Sequence, residues 1–180
     1  MKICVFCSSS SDISDDYKKS AFRLGKTLVE QGHTLVYGGA TGGLMDAVAE
    51  GAQAGKGEII GVIPEAIIKN RRLSNLPTKL IKVPDMNERK KQLQELSDVF
   101  VALPGSFGTL DEMFSVIASG MVGEHNKLLI CVNENRFYDA LISHIEFMQT
   151  QCSTAKSQNY QPIFVQSVEE CLERIKNLDI

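Results

Sequence analysis

The sequence predicts an α/β fold of the doubly wound type, in which helices cover both faces of a mostly parallel sheet. Short apolar runs alternate with amphipathic segments along the whole chain, which is the pattern of strand–helix–strand units with right-handed crossovers. At 180 residues and 43% hydrophobic, the chain is long enough to bury one sizeable core. No Pro- or Ser-rich linker divides it, so we expect a single domain over residues 1–180.

Each predicted element follows from local periodicity. Short apolar runs predict strands at residues 2–7, 34–37, 59–63, 80–83, 99–103, 128–132 and 163–165. Helical spacing of apolar residues predicts helices at residues 14–31, 43–54, 87–96, 109–121, 136–149 and 168–178. Four loops follow strands, at residues 8–11, 38–43, 64–77 and 104–109. Ligands of such sheets bind at the carboxyl ends of the strands, so these loops are expected to meet at one site.

Charge and hydropathy indicate which class of ligand the protein binds and in which cellular compartment it lies. The formal net charge of −3 and the lack of a basic stripe argue against a nucleic-acid surface and favour a small-molecule ligand. No apolar run approaches the roughly 20 residues that span a bilayer, and the chain begins directly with a short strand rather than a signal peptide. These features predict a cytoplasmic protein without membrane contact.

The cysteines and histidines do not form a metal or disulfide pattern. Five cysteines, an odd number spread over a mid-sized chain, favour a reducing compartment. Cys4 and Cys7 have redox-pair spacing but lie within a predicted strand, away from any helix N-terminus that would activate them. The histidines are isolated from one another, and a zinc site needs further ligands at close spacing. We therefore predict structural thiols and no metal.

The most informative segment runs from Pro104 to Glu112. A strand that breaks at a glycine-bearing turn and restarts as a helix directs unpaired N–H groups and the positive helix end at one point, which suits a phosphate. The candidate phosphate-binding residues are Gly105, Ser106, Phe107, Gly108 and Thr109. Glu112 adds nothing to phosphate binding, so it indicates chemistry beside the phosphate.

Glu112 also has a structural interpretation. Thr109-x-x-Glu112 matches a capping box, which would need no enzyme. However, Glu112 lies on the opposite side of the helix from the apolar stripe that contains Phe114, next to Val116 and Ser119. A helix that is apolar on one side and small or apolar on part of the other is expected to contact another subunit as well as the sheet. This predicts a homodimer with the site near or across its interface.

A second charged motif lies at Met86-Asn87-Glu88-Arg89-Lys90. At about 100° per residue, Met86 and Leu93 define an apolar stripe, and Arg89 falls inside or beside it. A solvated helix face explains the outward charges but not Arg89. A cation angled inward needs an anionic partner or a cleft to offset its desolvation. We therefore expect Arg89 to be paired or functional.

A second glycine loop joins the strand at residues 34–37 to the following helix. It is not the dinucleotide fingerprint, because the glycine spacing fails at Ala40, and a nicotinamide cofactor is not expected. Gly38 and Gly39 have two interpretations. They either contact ligand, or serve tight turning and close helix–sheet packing.

Taken together, the two charged motifs resemble the paired signature of the LOG family. These are the cytokinin riboside 5′-monophosphate phosphoribohydrolases long mislabelled lysine decarboxylases. The opening strand with Cys4-Val5-Phe6-Cys7-Ser8-Ser9 and the second glycine loop are also similar to that family, so the resemblance covers nearly the whole chain.

The resemblance implies a Rossmann-like dimer that hydrolyses the N-glycosidic bond of a nucleoside 5′-monophosphate, without a cofactor. It places the catalytic roles on Arg89 and Glu112. It places the phosphate loop on Gly105, Ser106, Gly108 and Thr109. The remaining substrate contacts that we predict are Ser8, Gly38, Gly39, Met86, Lys90 and Phe107.

The chain departs from the family pattern at residues that shape the base and ribose pocket. Ser106 replaces a glycine, Asn75 stands where plant-like members have a substrate-binding glutamate, and Ser119 and Met121 lie in a segment that differs from theirs. The preferred base is therefore open. One alternative is a non-catalytic nucleotide or pterin carrier, of which a molybdenum-cofactor carrier resembles the same family. A pyridoxal-dependent decarboxylase is weaker, because the chain is short for that fold.

Overall fold

A computed structural model describes residues 1–152 and 160–178 as an open sheet covered by helices on both faces. The strands are β1 Lys2–Phe6, β2 Thr34–Tyr37, β3 Ile59–Pro64, β4 Lys79–Val83, β5 Val99–Ala102, β6 Leu129–Val132 and β7 Ile163–Val165. The helices are α1 Asp15–Glu30, α2 Gly43–Ala54, α3 Glu65–Lys69, α4 Met86–Leu96, α5 Phe107–Met121, α6 Asp139–Gln151 and α7 Val168–Lys176. A 3₁₀ turn, Glu134–Arg136, precedes α6.

Every pairing in the sheet is parallel, and the strand order is β4-β3-β2-β1-β5-β6-β7. The chain starts in the middle with β1, winds outward to β4, and then returns to β5 on the other side of β1. The crevice between the loops that follow β1 and β5 is therefore the topological switch point, where ligands of such sheets bind. The Ser8 N–H donates to the Pro104 carbonyl at 3.2 Å and ties these two loops together. The predicted doubly wound fold is confirmed.

Two apolar cores lie on the two faces of the sheet. One packs α1, α2 and α7 against alternate strand residues such as Ile3, Val5 and Leu35. The other packs α4, α5 and α6 against the intervening residues, such as Cys4 and Phe100. Because all the central strands are covered on both sides, they read as continuous apolar runs. Cys4, Cys7, Cys131, Cys152 and Cys171 all carry free thiols.

Most predicted elements lie within a few residues of those observed, and three differences affect the site. The 64–77 loop contains the short helix α3. Helix α5 begins at Phe107 rather than Thr109, so Thr109 lies inside the helix and the capping box does not form. The predicted apolar stripe of α5 is only partly its buried face. Thr109, Glu112 and Val116 are buried, whereas Phe114 is 40% exposed.

Within the described ranges, none of the helices combines the length and apolarity that crossing a bilayer would require.

Candidate active site

A cavity of about 450 Å³ opens at the carboxyl edge of the sheet. It receives residues from the loops after β1, β2 and β3 and from the N-terminal parts of α4 and α5. Its lining consists of Cys7, Ser8, Ser9, Ser10, Ala40, Met45, Ile67, Arg72, Met86, Arg89, Ser106, Gly108, Thr109 and Glu112. The sequence prediction that these loops meet at one place is confirmed.

The main feature of this cavity is a buried ion pair between Arg89 on α4 and Glu112 on α5. Arg89 Nη1 lies 3.0 Å from Glu112 Oε1, and the two side chains are 6% and 3% exposed. The other two guanidinium nitrogens also donate hydrogen bonds. Nε donates to the Val62 carbonyl at 3.1 Å and Nη2 to the Gly38 carbonyl at 3.0 Å. Arg89 is thus fixed by one carbonyl of β3, one carbonyl of the loop after β2 and the Glu112 carboxylate, and Glu112 is held in place at the cavity.

Burial raises the pKa of Glu112 to about 7, while the Arg89 guanidinium acts in the opposite direction and Asp111 adds to the increase. Desolvation is the dominant cause, because a carboxylate loses more hydration than one partner restores. A carboxyl group that titrates near neutrality can accept a proton at physiological pH. Strongly shifted groups in a cleft are typical of catalytic sites.

The start of α5 faces the same cavity with unused backbone donors. Ser106 is the N-cap residue, but its side chain makes no capping hydrogen bond. The Leu110 N–H donates to the Ser106 carbonyl at 3.0 Å, whereas the N–H groups of Phe107, Gly108 and Thr109 have no acceptor within the described residues. Together with the helix dipole, these donors form a site suited to an anion.

The start of α2 is different, because several of its donors already have acceptors. Leu44 and Met45 both donate to the Ser8 carbonyl, at 2.8 and 3.3 Å. The Gly42 N–H donates to the Asp46 carboxylate at 2.7 Å. Gly43 has a φ of +54°, and a β-carbon there would lie 2.3 Å from the Ser10 carbonyl oxygen. In this loop, glycine serves close packing against the loop that follows β1.

The structure brings some predicted site residues together and leaves others outside the cavity. Besides Arg89 and Glu112, the lining includes the predicted residues Ser8, Met86, Ser106, Gly108 and Thr109.

Five predicted contacts do not line the cavity. Gly38 and Gly39 are buried, and the Gly38 carbonyl accepts from Arg89. Gly105 is buried against Thr109. Phe107 points outward with 87% exposure. Lys90 Nζ lies 2.8 Å from Asp111 Oδ1, so its charge is already paired.

Sequence reasoning missed Arg72 and Ile67, which reach the cavity from the segment after β3, and Met45 at the start of α2. The 64–77 loop is predicted to lie at this edge, but only Asn75 in it stands out in the sequence, as a departure from the family pattern. The Arg71-Arg72 pair was the available signal. Among the described residues, no group of three or more His, Cys, Asp or Glu side chains is placed to hold a metal.

The fold and the site define a class of protein: a Rossmann-like α/β domain with a buried acid–guanidinium pair beside an uncapped helix N-terminus. A family model described as "Possible lysine decarboxylase" matches residues 45–175. A rice (Oryza sativa subsp. japonica) protein is 34% identical over 175 residues, which are 97% of this chain and 70% of that protein. It is named "Probable cytokinin riboside 5′-monophosphate phosphoribohydrolase". The chain belongs to this family, the LOG family.

Two further comparisons agree with this family and with the fold. An Arabidopsis thaliana protein named cytokinin riboside 5′-monophosphate phosphoribohydrolase is 32% identical over 176 residues, 98% of this chain and 83% of that protein. A solved structure of a molybdenum cofactor binding protein from the phototrophic bacterium Rippkaea orientalis is 26% identical, with a TM-score of 0.73. That match covers 97% of this chain and 94% of the other. The fold is therefore common to proteins with both kinds of name.

Proposed function

We propose that this protein hydrolyses the N-glycosidic bond of a nucleoside 5′-monophosphate, AMP or a cytokinin riboside monophosphate, to free base and ribose 5-phosphate. The observation that carries the proposal is the buried Arg89–Glu112 pair, which opens onto a cavity beside the unused amides of α5. The relatives named as phosphoribohydrolases support the same reaction. No cofactor or metal takes part.

The 5′-phosphate binds at the start of α5. The N–H groups of Gly108 and Thr109, two residues that line the cavity, donate to its oxygens, and the helix dipole favours its charge. Binding energy from this phosphate, remote from the reacting bond, holds the ribose over Glu112. Met86, Met45 and Ile67 supply the apolar part of the cavity, where the flat face of a base is accommodated.

Glu112 is the catalytic base. The bond between C1′ and the base nitrogen breaks, and its electron pair leaves with the nucleobase, which takes a proton from solvent; the proton that Glu112 removes from the attacking water is later released to solvent. The ribosyl carbon passes through an oxocarbenium-like state that the Glu112 carboxylate stabilises electrostatically. The same carboxylate takes a proton from the attacking water, whose oxygen forms the new bond to C1′.

Arg89 keeps Glu112 in place and favours its ionised form. Its guanidinium lowers the pKa of Glu112 against the effect of burial, and its bonds to the Gly38 and Val62 carbonyls prevent the pair from turning away. Because each of the three guanidinium nitrogens of Arg89 already has an acceptor, Arg89 acts through Glu112 rather than as a free phosphate ligand.

The direct test is incubation with AMP and measurement of adenine release by liquid chromatography, without added metal. Glu112→Gln and Arg89→Ala should each reduce release by at least about 1,000-fold while circular dichroism shows a folded protein. Glu95→Gln on the exposed face of α4 is the matched control and should retain full activity. A Glu112→Gln variant as active as the parent would disprove the assignment.

A non-catalytic pterin or nucleotide carrier is the second candidate, favoured by the likeness to a molybdenum cofactor binding protein. A carrier needs the anion site at the start of α5 but has no use for a carboxyl group whose pKa is raised to about 7 by burial and whose position is fixed by a guanidinium. A panel of 5′-monophosphates distinguishes the two. Cleavage of any member supports the hydrolase, and tight retention without cleavage of any supports the carrier.

The proposal includes a homodimer that acts in the cytoplasm. Its interface would be the apolar groove between α5 and α6, lined by residues such as Phe114, Ile117, Met121 and Ile145. Helix α5 also carries Glu112, so this interface lies near the site. The free thiols agree with a reducing compartment.

The dimer is tested by light scattering after size exclusion. Phe114→Glu should give monomers, because it places a charge in an apolar interface. Phe22 on α1 is 38% exposed, close to the 40% of Phe114, but lies on the opposite face of the sheet. Phe22→Glu should leave the dimer intact. A parent protein that is monomeric at micromolar concentration would refute the interface.

A further inference from the structure

We infer that Arg72 is the cation that selects a phosphorylated substrate in this cavity, by binding the 5′-phosphate together with the start of α5. The inference rests on the proposed function, since it concerns how the same site recognises a nucleoside 5′-monophosphate.

Among the charged side chains that line the cavity, Arg72 is the one without an oppositely charged partner among the described residues. Three charged side chains line the cavity: Arg72, Arg89 and Glu112. Glu112 and Arg89 neutralise each other at 3.0 Å. Lys90, the other cation near the site, is paired with Asp111 and does not line the cavity. Within the described part of the chain, no carboxylate lies within 4.0 Å of the Arg72 guanidinium, so the cavity keeps one uncompensated positive charge.

The Arg72 guanidinium is held in place without using up its donors. Nη2 donates to the Ser9 carbonyl at 3.0 Å and to the Thr41 carbonyl at 3.2 Å. Nε and Nη1 have no acceptor among the residues that the structure describes, although the side chain is half-buried. A planar guanidinium fixed at one nitrogen presents its remaining N–H groups in a set direction, and each of them can donate a charge-assisted hydrogen bond to a phosphate oxygen.

The backbone that carries Arg72 is equally fixed. The Thr41 N–H donates to the Arg72 carbonyl at 2.9 Å, and the Ser74 N–H donates to the Gly39 carbonyl at 3.1 Å. Ala40 and Leu73 form an antiparallel bridge between these bonds. The segment after α3 is therefore attached to the second glycine loop, and Arg72 is presented to the cavity by a rigid support rather than by a free loop.

The alternative is that Arg72 only ties together the loops after β1 and β2. That role needs the two bonds made by Nη2, but leaves the lack of a carboxylate partner unexplained. The two roles differ in what they predict. A tie would affect every ligand of the cavity alike, whereas a phosphate-binding cation affects only ligands that carry the phosphate.

The experiment measures the binding of AMP, ribose 5-phosphate and adenosine by isothermal titration calorimetry, and the hydrolysis of AMP, in matched variants. Arg72→Gln should weaken ribose 5-phosphate binding and raise the KM for AMP by about 10- to 100-fold, with adenosine binding changed less than about threefold. Arg72→Lys should recover part of the loss, because it restores charge without the planar fork. Arg71→Gln, which removes an exposed charge from the same loop, is the control and should behave like the parent.

Two outcomes would overturn the inference. The first is an equal loss of AMP and adenosine binding in Arg72→Gln, which would indicate a structural tie. The second is parent-like binding of AMP and ribose 5-phosphate in Arg72→Gln. Failure of the proposed function is seen separately, as AMP that binds through Arg72 but is not cleaved.

Discussion

Replacing Gly38 with alanine is expected to disrupt the Arg89–Glu112 pair without altering either partner. A β-carbon at residue 38 would lie 1.8 Å from Arg89 Nη2. Unbonded carbon and nitrogen atoms approach to about 3.5 Å, so the guanidinium must move by roughly 1.5 Å. Backbone strain is not involved, because Gly38 does not have a positive φ. The perturbation is therefore steric and falls mainly on Arg89, since the nearest atom of another side chain, Met45 Cε, would lie 3.1 Å from the added β-carbon.

The structure gives the expected magnitude. The displaced guanidinium loses the bond from Nη2 to the Gly38 carbonyl and lengthens the 3.0 Å contact with Glu112. Hydrogen bonds to charged groups contribute about 1.5–3 kcal/mol each, so Gly38→Ala should lower the free energy of unfolding by about 2–4 kcal/mol. Because a misplacement of 1 Å in a catalytic group can reduce rates about 100-fold, AMP hydrolysis should fall by at least that factor.

Urea unfolding measures the change in the free energy of unfolding, and adenine release measures the change in the rate of AMP hydrolysis. Gly108→Ala is the stability control, because a β-carbon there meets nothing within 4 Å and the position lies in the first turn of α5. Its free energy of unfolding should stay within about 0.5 kcal/mol of the parent. If Gly38→Ala were as stable and as active as the parent protein, the close approach of Arg89 to Gly38 would not be what positions Glu112.

Three further predictions follow from individual side chains. If Glu112 acts as the base, kcat/KM for AMP should rise with pH through an apparent pKa near 7 and level off above it, because burial raises the pKa of Glu112 to about 7 and only the ionised form accepts a proton; a flat pH–rate profile from pH 5 to 9 would contradict this. Tyr37→Phe should change the free energy of unfolding by less than about 1 kcal/mol, since the buried Tyr37 hydroxyl has no hydrogen-bond partner within the described residues; a larger loss measured in urea would reveal a missing partner. In native protein at pH 8, a thiol reagent should modify Cys152 quickly and Cys7 only on unfolding, because Cys152 is exposed while burial raises the pKa of the Cys7 thiol far above its usual range; fast modification of two or more thiols would argue against this burial.

Much of the fold could be predicted from local patterns. The central strands are covered on both faces, so their sequences are uninterrupted apolar runs such as Val99–Ala102. The helices between them have one apolar face, and the alternation of the two patterns is enough to predict a doubly wound sheet. The strand order follows less directly, but the position of the loops at the carboxyl edge does not depend on it.

The candidate catalytic pair could be recognised for a similar reason. Arg89 stands out because it lies near an apolar stripe, and Glu112 because a phosphate loop does not need it. Each residue departs from the pattern of its own segment, and such a departure can be recognised from the sequence alone. The roles of the neighbouring cations are not, because Lys90 and Arg72 each look like an ordinary surface charge in the sequence.

By itself, the sequence determined the fold class, the single domain, the meeting of the loops at one edge and the two residues at the centre of the site. Only the tertiary structure decided which donors remain free. It satisfied the start of α2 with Ser8 and Asp46, left the start of α5 open, paired Lys90 with Asp111 and left Arg72 without a carboxylate. The physical reason is that patterns along a chain report burial, whereas charge compensation depends on partners that are distant in sequence and adjacent only after folding.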